Sequence, residues 1–122
     1  MDVEHGVERP SAWLVHNADL LPRGGRLLDV ACGRGRHALW LAVQGYEVTA
    51  IDRSAEAIAR VKEAATRLGL TITTEVVDLE TDPPPSLGSQ IYDAVVVFNY
   101  LHRPLMPAIR EAVKIGGSIF YE

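Results

Sequence analysis

The chain has 122 residues, a formal net charge of −4, 48% hydrophobic residues and one cysteine. That length fits one domain, which buries roughly two-thirds of its unfolded surface. The charge leaves no basic footprint for a nucleic acid, no apolar run approaches the roughly 20 residues of a membrane span, and a lone Cys32 excludes an internal disulfide.

Residues 1 to 10 (MDVEHGVERP) are acidic and polar, unlike a secretory signal, and read as a loose tail. With Cys32 unpaired, the expectation is a cytoplasmic protein. Pro10-Ser11 opens a first helix, Ser11 being placed to cap it. Trp13, Leu14, Ala18 and Leu21 fall near one face of this helix, which ends before Gly24-Gly25. It either packs over the sheet or covers a ligand pocket, and packing is the simpler role for Trp13.

Arg26 to Val30 (RLLDV) is the first strand. Gly33 and Gly35 follow at once, and a helix from about Arg36 to Gln44 stops at Gly45. Strand, tight glycine turn and helix start form the phosphate-loop pattern of the dinucleotide-binding folds. Tyr46 to Ile51 is a second strand ending in Asp52. Ser54 caps a long helix, Ala55 to Leu68, whose apolar stripe is Ala57, Ile58, Val61, Ala65 and Leu68. Thr71 to Val77 is a third strand, followed by Asp78-Leu79-Glu80. Pro83-Pro84-Pro85 bar a regular helix from the loop Thr81 to Ser89, so this crossover is abbreviated. Tyr92 to Phe98 is a continuous apolar run suited to a central parallel strand. Asn99-Tyr100-Leu101-His102-Arg103 comes next, then a short helix from Pro104 to Lys114, ended by Gly116-Gly117, and a fifth strand from Ser118 to Tyr121.

Strands alternating with helices predict an α/β fold: one doubly wound, Rossmann-like parallel sheet of about five strands with helices on both faces, the whole chain forming one domain. Ligands of such sheets lie beyond the carboxyl ends of the strands. Asp29, Asp52, Asp78 and Asn99 each end or follow a strand, so the sequence sends four polar groups to one rim.

Two readings compete for the glycine loop. Gly33-x-Gly35-x-x-Ala38 satisfies a nicotinamide-type fingerprint, with Asp52 as the ribose acid. In that fingerprint a carboxylate at Asp29 has no task. The stretch Asp29-x-Ala31-x-Gly33-x-Gly35 instead resembles the first motif of the class I S-adenosylmethionine-dependent methyltransferases, with Ala31 where that family has its first glycine. VTAIDRS, VVDLE and YDAVVVFNYLHRP are similar to the second, third and fourth motifs. LLDVACGRGRHALWLA together with VVVFNYLHRP resembles the small bacterial methyltransferases grouped with tellurite-resistance proteins.

This resemblance implies S-adenosyl-L-methionine as cofactor, S-adenosyl-L-homocysteine as product, and a cofactor-binding set. Asp29 would organise the loop, made of Ala31, Cys32, Gly33 and Gly35, and the cationic end of the cofactor. Asp52 would take both ribose hydroxyls, with Arg53 beside the adenine. Asp78 would accept from the adenine amino group, and Leu79 would pack on the ring. Asn99 and Tyr100 would lie near the methionine part. The implied reaction is methyl transfer to a small electron-rich acceptor, driven mainly by proximity. His37, His102 and Arg103 are the candidate bases or acceptor-positioning groups, and the spacing of histidines and carboxylates suggests no metal site. Cys32 suits a small space-filling residue better than a reactive thiol. A binding module without turnover and a nicotinamide-dependent oxidoreductase domain stay as alternatives.

The family continues past its fifth strand with a helix and an antiparallel strand pair, which this sequence lacks, so it reads as a fragment or a minimal form. The fifth strand would then be an apolar edge able to pair with another copy, giving a homodimer.

Overall fold

A computed structural model of the chain describes residues 9–122. Most of the expected tail, residues 1–8, lies outside them. Residues 9 and 10 depart from the loose-tail reading. Pro10 is buried, and the Arg9 carbonyl accepts a hydrogen bond from Arg36 Nη1 at 3.3 Å.

The elements run in the order α1 (Ala12–Asn17), a 3-10 turn (Ala18–Leu20), β1 (Arg26–Val30), α2 (Arg36–Val43), β2 (Glu47–Asp52), α3 (Ala55–Leu68), β3 (Ile72–Val76), β4 (Tyr92–Val97), a second 3-10 turn (Arg103–Leu105), α4 (Met106–Ala112) and β5 (Val113–Tyr121). Local chemistry sets several boundaries. Ser11 accepts from the Leu14 N–H, and Ser54 accepts from the Ala57 N–H at 3.1 Å. Both hydroxyls satisfy first-turn donors that have no partner inside the helix. Gly69, in the left-handed region, closes α3 by donating back to Ala65 and Thr66.

The five strands form one sheet in the order β3-β2-β1-β4-β5, with every neighbouring pair parallel. Alternation along the central strands feeds two cores. Leu27, Ala94 and Val96 point to one face, where Leu14, Leu39, Trp40, Ile58 and Val61 from the first three helices meet them. Leu28, Val30, Val95 and Val97 point to the other, where Leu105, Ile109 and Ala112 cover them. A strand buried on both faces explains why YDAVVVF carries no polar alternation. Leu27, Leu28, Val95 and Val97 are each at most 1% exposed, and each such side chain contributes about 1.5–3 kcal/mol of burial free energy. The crossover from β3 to β4 contains no helix, as its prolines require, so α4 is the one α-helix on the second face among the described residues, joined there by Leu105 of the 3-10 turn and Leu79.

The last helix and strand differ from the sequence reading. The helix does not run to Lys114: α4 ends at Ala112, and Val113 already pairs with Tyr92 of β4. Gly116-Gly117 do not stop a helix but sit inside β5. The register jumps from Tyr92↔Val113 to Ala94↔Ser118, so extra residues of β5 bulge outward there. A side chain at Gly117 would lie 2.7 Å from the Asp93 carbonyl oxygen, so the bulge closes against β4 only with glycine at this position. Diglycine looks alike before a strand and within a bulge, which is why the pattern misled.

Candidate functional site

All the polar groups of interest are delivered to one end of the sheet by strand termini. β1 ends at Val30 and the chain turns sharply. Ala31 has φ +57°, Gly33 +55° and Gly35 +81°. The turn is tied on both sides. Cys32 N–H donates to the Ile51 carbonyl at 2.9 Å, Gly35 N–H to the Cys32 carbonyl at 2.9 Å, and Gly33 N–H to Asp52 Oδ2 at 2.9 Å. Ala31 adopts a glycine-like conformation in place of the expected glycine, a strained state that costs of the order of 1–3 kcal/mol.

The two glycines do different work. A side chain at Gly33 would meet nothing within 4 Å, so its bare backbone faces open space where a ligand can approach. A Cβ at Gly35 would sit 2.7 Å from Val61 Cγ2, so this glycine lets α3 pack closely against the start of α2.

Gly35 is the N-cap of α2 and has no side chain to accept from the first turn. Asp29, on β1, takes that role by accepting the Ala38 N–H, which lies at the third helical position. The carboxyl group is only 2% exposed, and its Oδ2 has no partner. Burial, against the lowering effect of the Ala38 N–H and with the Asp52 charge nearby, pushes the Asp29 pKa up to about 8. His37 is 5% exposed and stacks on Phe98, ring centroids 4.0 Å apart at 22°. Burial first, then the Arg36 charge, lowers its pKa to about 4, so the imidazole is neutral near pH 7, and Nε2 is unpartnered. Burial also raises the Cys32 thiol pKa, with Asp29 and Asp52 adding to the effect, so Cys32 is a protonated filler.

These groups surround a cavity of about 250 Å³ lined by Asp29, Ala31, Cys32, Gly33, Arg34, Arg36, His37, Phe98 and Asn99. A carboxyl group, two guanidinium groups and exposed backbone around one small volume suit a zwitterionic ligand group. Trp13 packs at this end from α1, edge-on to Phe98 at 6.3 Å and to Phe120 at 5.6 Å. Of the two roles posed for α1, these ring contacts show packing; no α1 residue lines the cavity.

The remaining predicted residues lie on the adjoining rim. Asp52 Oδ2 is held by Gly33 N–H, and Oδ1 by Ser54 N–H at 2.8 Å. Each oxygen keeps a further lone-pair direction for an outside donor. Tyr100 donates its hydroxyl to Glu80 Oε2 at 3.1 Å, and its pKa rises to about 12 through burial, then the Glu80 hydrogen bond and charge, partly offset by Arg53. The Tyr100 carbonyl in turn accepts from the Tyr121 hydroxyl. Asp78 is exposed and caps the turn after β3, accepting from Glu80 N–H at 3.0 Å.

Three predicted residues stand elsewhere. Leu79 is 1% exposed in the core beneath α4 and does not offer its side chain to the rim. His102 and Arg103 are outside the cavity. The chain turns at Asn99 (φ +56°) toward the α4 face, where the His102 carbonyl accepts from Leu105 N–H at 3.0 Å and Arg103 is exposed. Sequence reasoning missed Phe98, Arg34 and Arg36 as cavity walls. The arginines flank Gly35 and could have been flagged by that adjacency. Phe98 reads as one more apolar strand residue and carried no signal.

Among the described residues no cluster of three or more His, Cys, Asp or Glu could hold a metal ion, and no helix is long and apolar enough to cross a membrane.

Residues 27–117 match the family described as a methyltransferase domain. A probable S-adenosyl-L-methionine-dependent methyltransferase, TehB of Haemophilus influenzae, is 32% identical over 99 residues, covering 75% of this chain and 33% of the relative. The crystal structure of TehB from Haemophilus influenzae superposes with a TM-score of 0.78 at 25% identity, over 94% of this chain and 42% of that one. Coclaurine N-methyltransferase bound to N-methylheliamine and S-adenosylhomocysteine (SAH) shares the fold, with a TM-score of 0.79 at 22% identity over 90% of this chain and 34% of that one. The chain thus spans about a third of the length of the curated relative it matches. The parallel sheet, the glycine turn, the acids at the ends of β1 and β2 and these likenesses together show that the chain belongs to the S-adenosyl-L-methionine-dependent methyltransferase family.

Proposed function

We propose that the chain binds S-adenosyl-L-methionine at the β1–α2 turn and directs its methyl group to a small electron-rich acceptor. The observation that carries this reading is the unpartnered, buried Oδ2 of Asp29 in a cavity that also holds Arg34, Arg36 and the open backbone of Gly33. The residues fit the cofactor. Asp29 would face the ammonium of its amino-acid end, the guanidinium groups its carboxylate, and Asp52 its ribose hydroxyls. Arg53, Asp78 and Tyr100 would border the adenine side. When bound, the cofactor supplies a methyl group already activated by its sulfonium.

The chain's own contribution is to hold and to exclude. Phe98, backed through Trp13 by Phe120, is the apolar wall of the cavity and would limit water at the reacting end. Asn99, just after β4, is held by its N–H donating to the Glu122 carbonyl at 2.9 Å, and its side chain would lie beside the methionine part. His37, neutral and stacked on Phe98, is the imidazole of the cavity able to accept a hydrogen bond from an incoming acceptor. Arg103, outside the cavity, would draw an anionic acceptor to the rim rather than touch the reacting atoms.

Two finer points belong with this proposal. β5 is a sheet edge carrying Ile115, 89% exposed, and Ile119, 37% exposed, and a second copy pairing there would give a homodimer. The single, unpaired cysteine supports a cytoplasmic setting, and the net charge of −4 supports a small-molecule rather than a nucleic-acid partner.

Calorimetric titration with SAH, on the wild-type chain and on Asp52→Ala, tests the reading. Micromolar binding that the substitution abolishes is expected. A folded wild-type chain that takes up no SAH refutes it. Radiolabelled methyl transfer to a panel of thiol, oxyanion, amine and hydroxyl acceptors then separates turnover from binding alone.

A further inference from the structure

Asp29 Oδ2 and His37 Nε2 are the two buried side-chain polar atoms without a hydrogen-bond partner among the described residues, and both side chains line the same cavity. A buried carboxylate oxygen with no protein donor is an unfavourable state for a folded chain, and it is relieved by a proton on the oxygen or by a donor from outside.

We propose that ligand capture at this cavity is a proton-for-cation exchange: Asp29 carries a proton on Oδ2 in the free protein, and releases it to solvent on accepting a hydrogen bond from the ammonium of the cofactor's amino-acid end. The inference rests on the cofactor reading above. The step breaks one O–H bond and transfers the proton to bulk buffer. The carboxylate created faces the incoming ammonium, and the ligand's own carboxylate faces the guanidinium groups, so the loaded cavity carries one positive charge less than the free one, the proton having gone to buffer.

The surroundings of Asp29 support this direction. In the sheet it is flanked by Ala50 of β2 and Val96 of β4, which bring no charge. Asp52, at the end of β2, opposes a second negative charge. From the turn come the protonated Cys32 thiol and Arg34, and from α2 come Arg36, His37 and the Ala38 N–H. Burial outweighs the favourable groups and holds the Asp29 pKa up to about 8, so the free carboxyl is protonated near neutral pH. His37, lowered to about 4, is too weak a base to keep the proton, which therefore leaves the site.

The test is calorimetry with SAH at roughly pH 7 in phosphate and in Tris, whose ionisation enthalpies differ. The expected result is release of about 0.9 proton per molecule bound, with apparent affinity rising close to tenfold per pH unit below the Asp29 pKa and falling again at alkaline pH, where the ligand's own ammonium loses its proton. Methylthioadenosine, which lacks the amino-acid end, binds with no proton release. Asp29→Asn releases no proton with either ligand. SAH binding without proton release overturns the exchange and leaves the cofactor reading standing. Equal release with methylthioadenosine, or release retained in Asp29→Asn, also overturns it. A folded chain that binds neither ligand overturns the cofactor reading and the exchange with it.

Discussion

Replacing Gly35 by alanine perturbs the turn at the point where backbone conformation and packing coincide. Gly35 has φ +81°, and an added Cβ would stand 2.7 Å from Val61 Cγ2. The left-handed conformation costs an alanine about 1–2 kcal/mol. Forcing a methyl against a fully buried valine adds about 1–3 kcal/mol, and the lost freedom of the unfolded chain returns about 0.4–1 kcal/mol. The expected net destabilisation is about 2–4 kcal/mol. It would be read by urea unfolding with Trp40 on α2, 6% exposed, as the fluorescent probe. The steric part belongs to the pair. In a cycle with Val61→Ala, the double variant should be about 1–3 kcal/mol more stable than the sum of the single effects. Additivity within about 0.5 kcal/mol, or a neutral Gly35→Ala, would refute the close approach of α3 to the turn.

At Gly33 the same substitution meets open space, so it should cost only about 1–2 kcal/mol of stability while abolishing SAH binding; retained binding would show that the ligand does not approach this backbone. Asp29→Asn should stabilise the free chain by up to about 4 kcal/mol near neutral pH. The sign follows from the raised pKa: the unfolded Asp29 loses its proton near 3.8 and the folded one near 8, so native stability falls as pH rises across that window. The advantage of asparagine should vanish below about pH 4, and an equal gain there would point to some other cause. His37 works the other way on the wild-type profile, because its folded pKa of about 4 lies below 6.5 and acid therefore favours the unfolded chain over that range. The Asn-minus-Asp difference cancels this term. Ser54→Ala should cost about 1 kcal/mol by removing the acceptor for Ala57 N–H, checked by the same urea midpoint. Cys32, 8% exposed with a raised thiol pKa, should resist a thiol reagent until the chain is unfolded; fast labelling of the folded chain would contradict its burial.

The strand–helix order was legible because the patterns are strong and local. LLDV, EVTAID and YDAVVV are apolar runs bounded by acids or glycines, and Ser54 and Gly69 bracket the one long amphipathic helix. The placement of Asp29 and Asp52 at one end of the sheet was legible because an acid closing a strand of a parallel sheet points to the ligand rim. Other readings failed where the deciding partner is distant in sequence. Gly116-Gly117 serve a bulge against Asp93 rather than a helix end, and Leu79 is taken into the core by α4. His102 and Arg103 follow the chain away from the cavity once Asn99 turns it.

The sequence by itself determined the α/β architecture and the positions of the acids, because periodicity, caps and turn residues act within a few positions of one another, and its motifs carried the resemblance to the family. Only the tertiary structure separated Gly33, open to a ligand, from Gly35, pressed against Val61, since nothing in the spacing of two glycines tells which has a neighbour. Only it showed that Asp29 lies beneath the start of α2, with one oxygen on Ala38 and the other unpartnered. A carboxyl group's burial and partners are set by which helix crosses over it, and that crossing is a property of the packed chain, not of its local sequence.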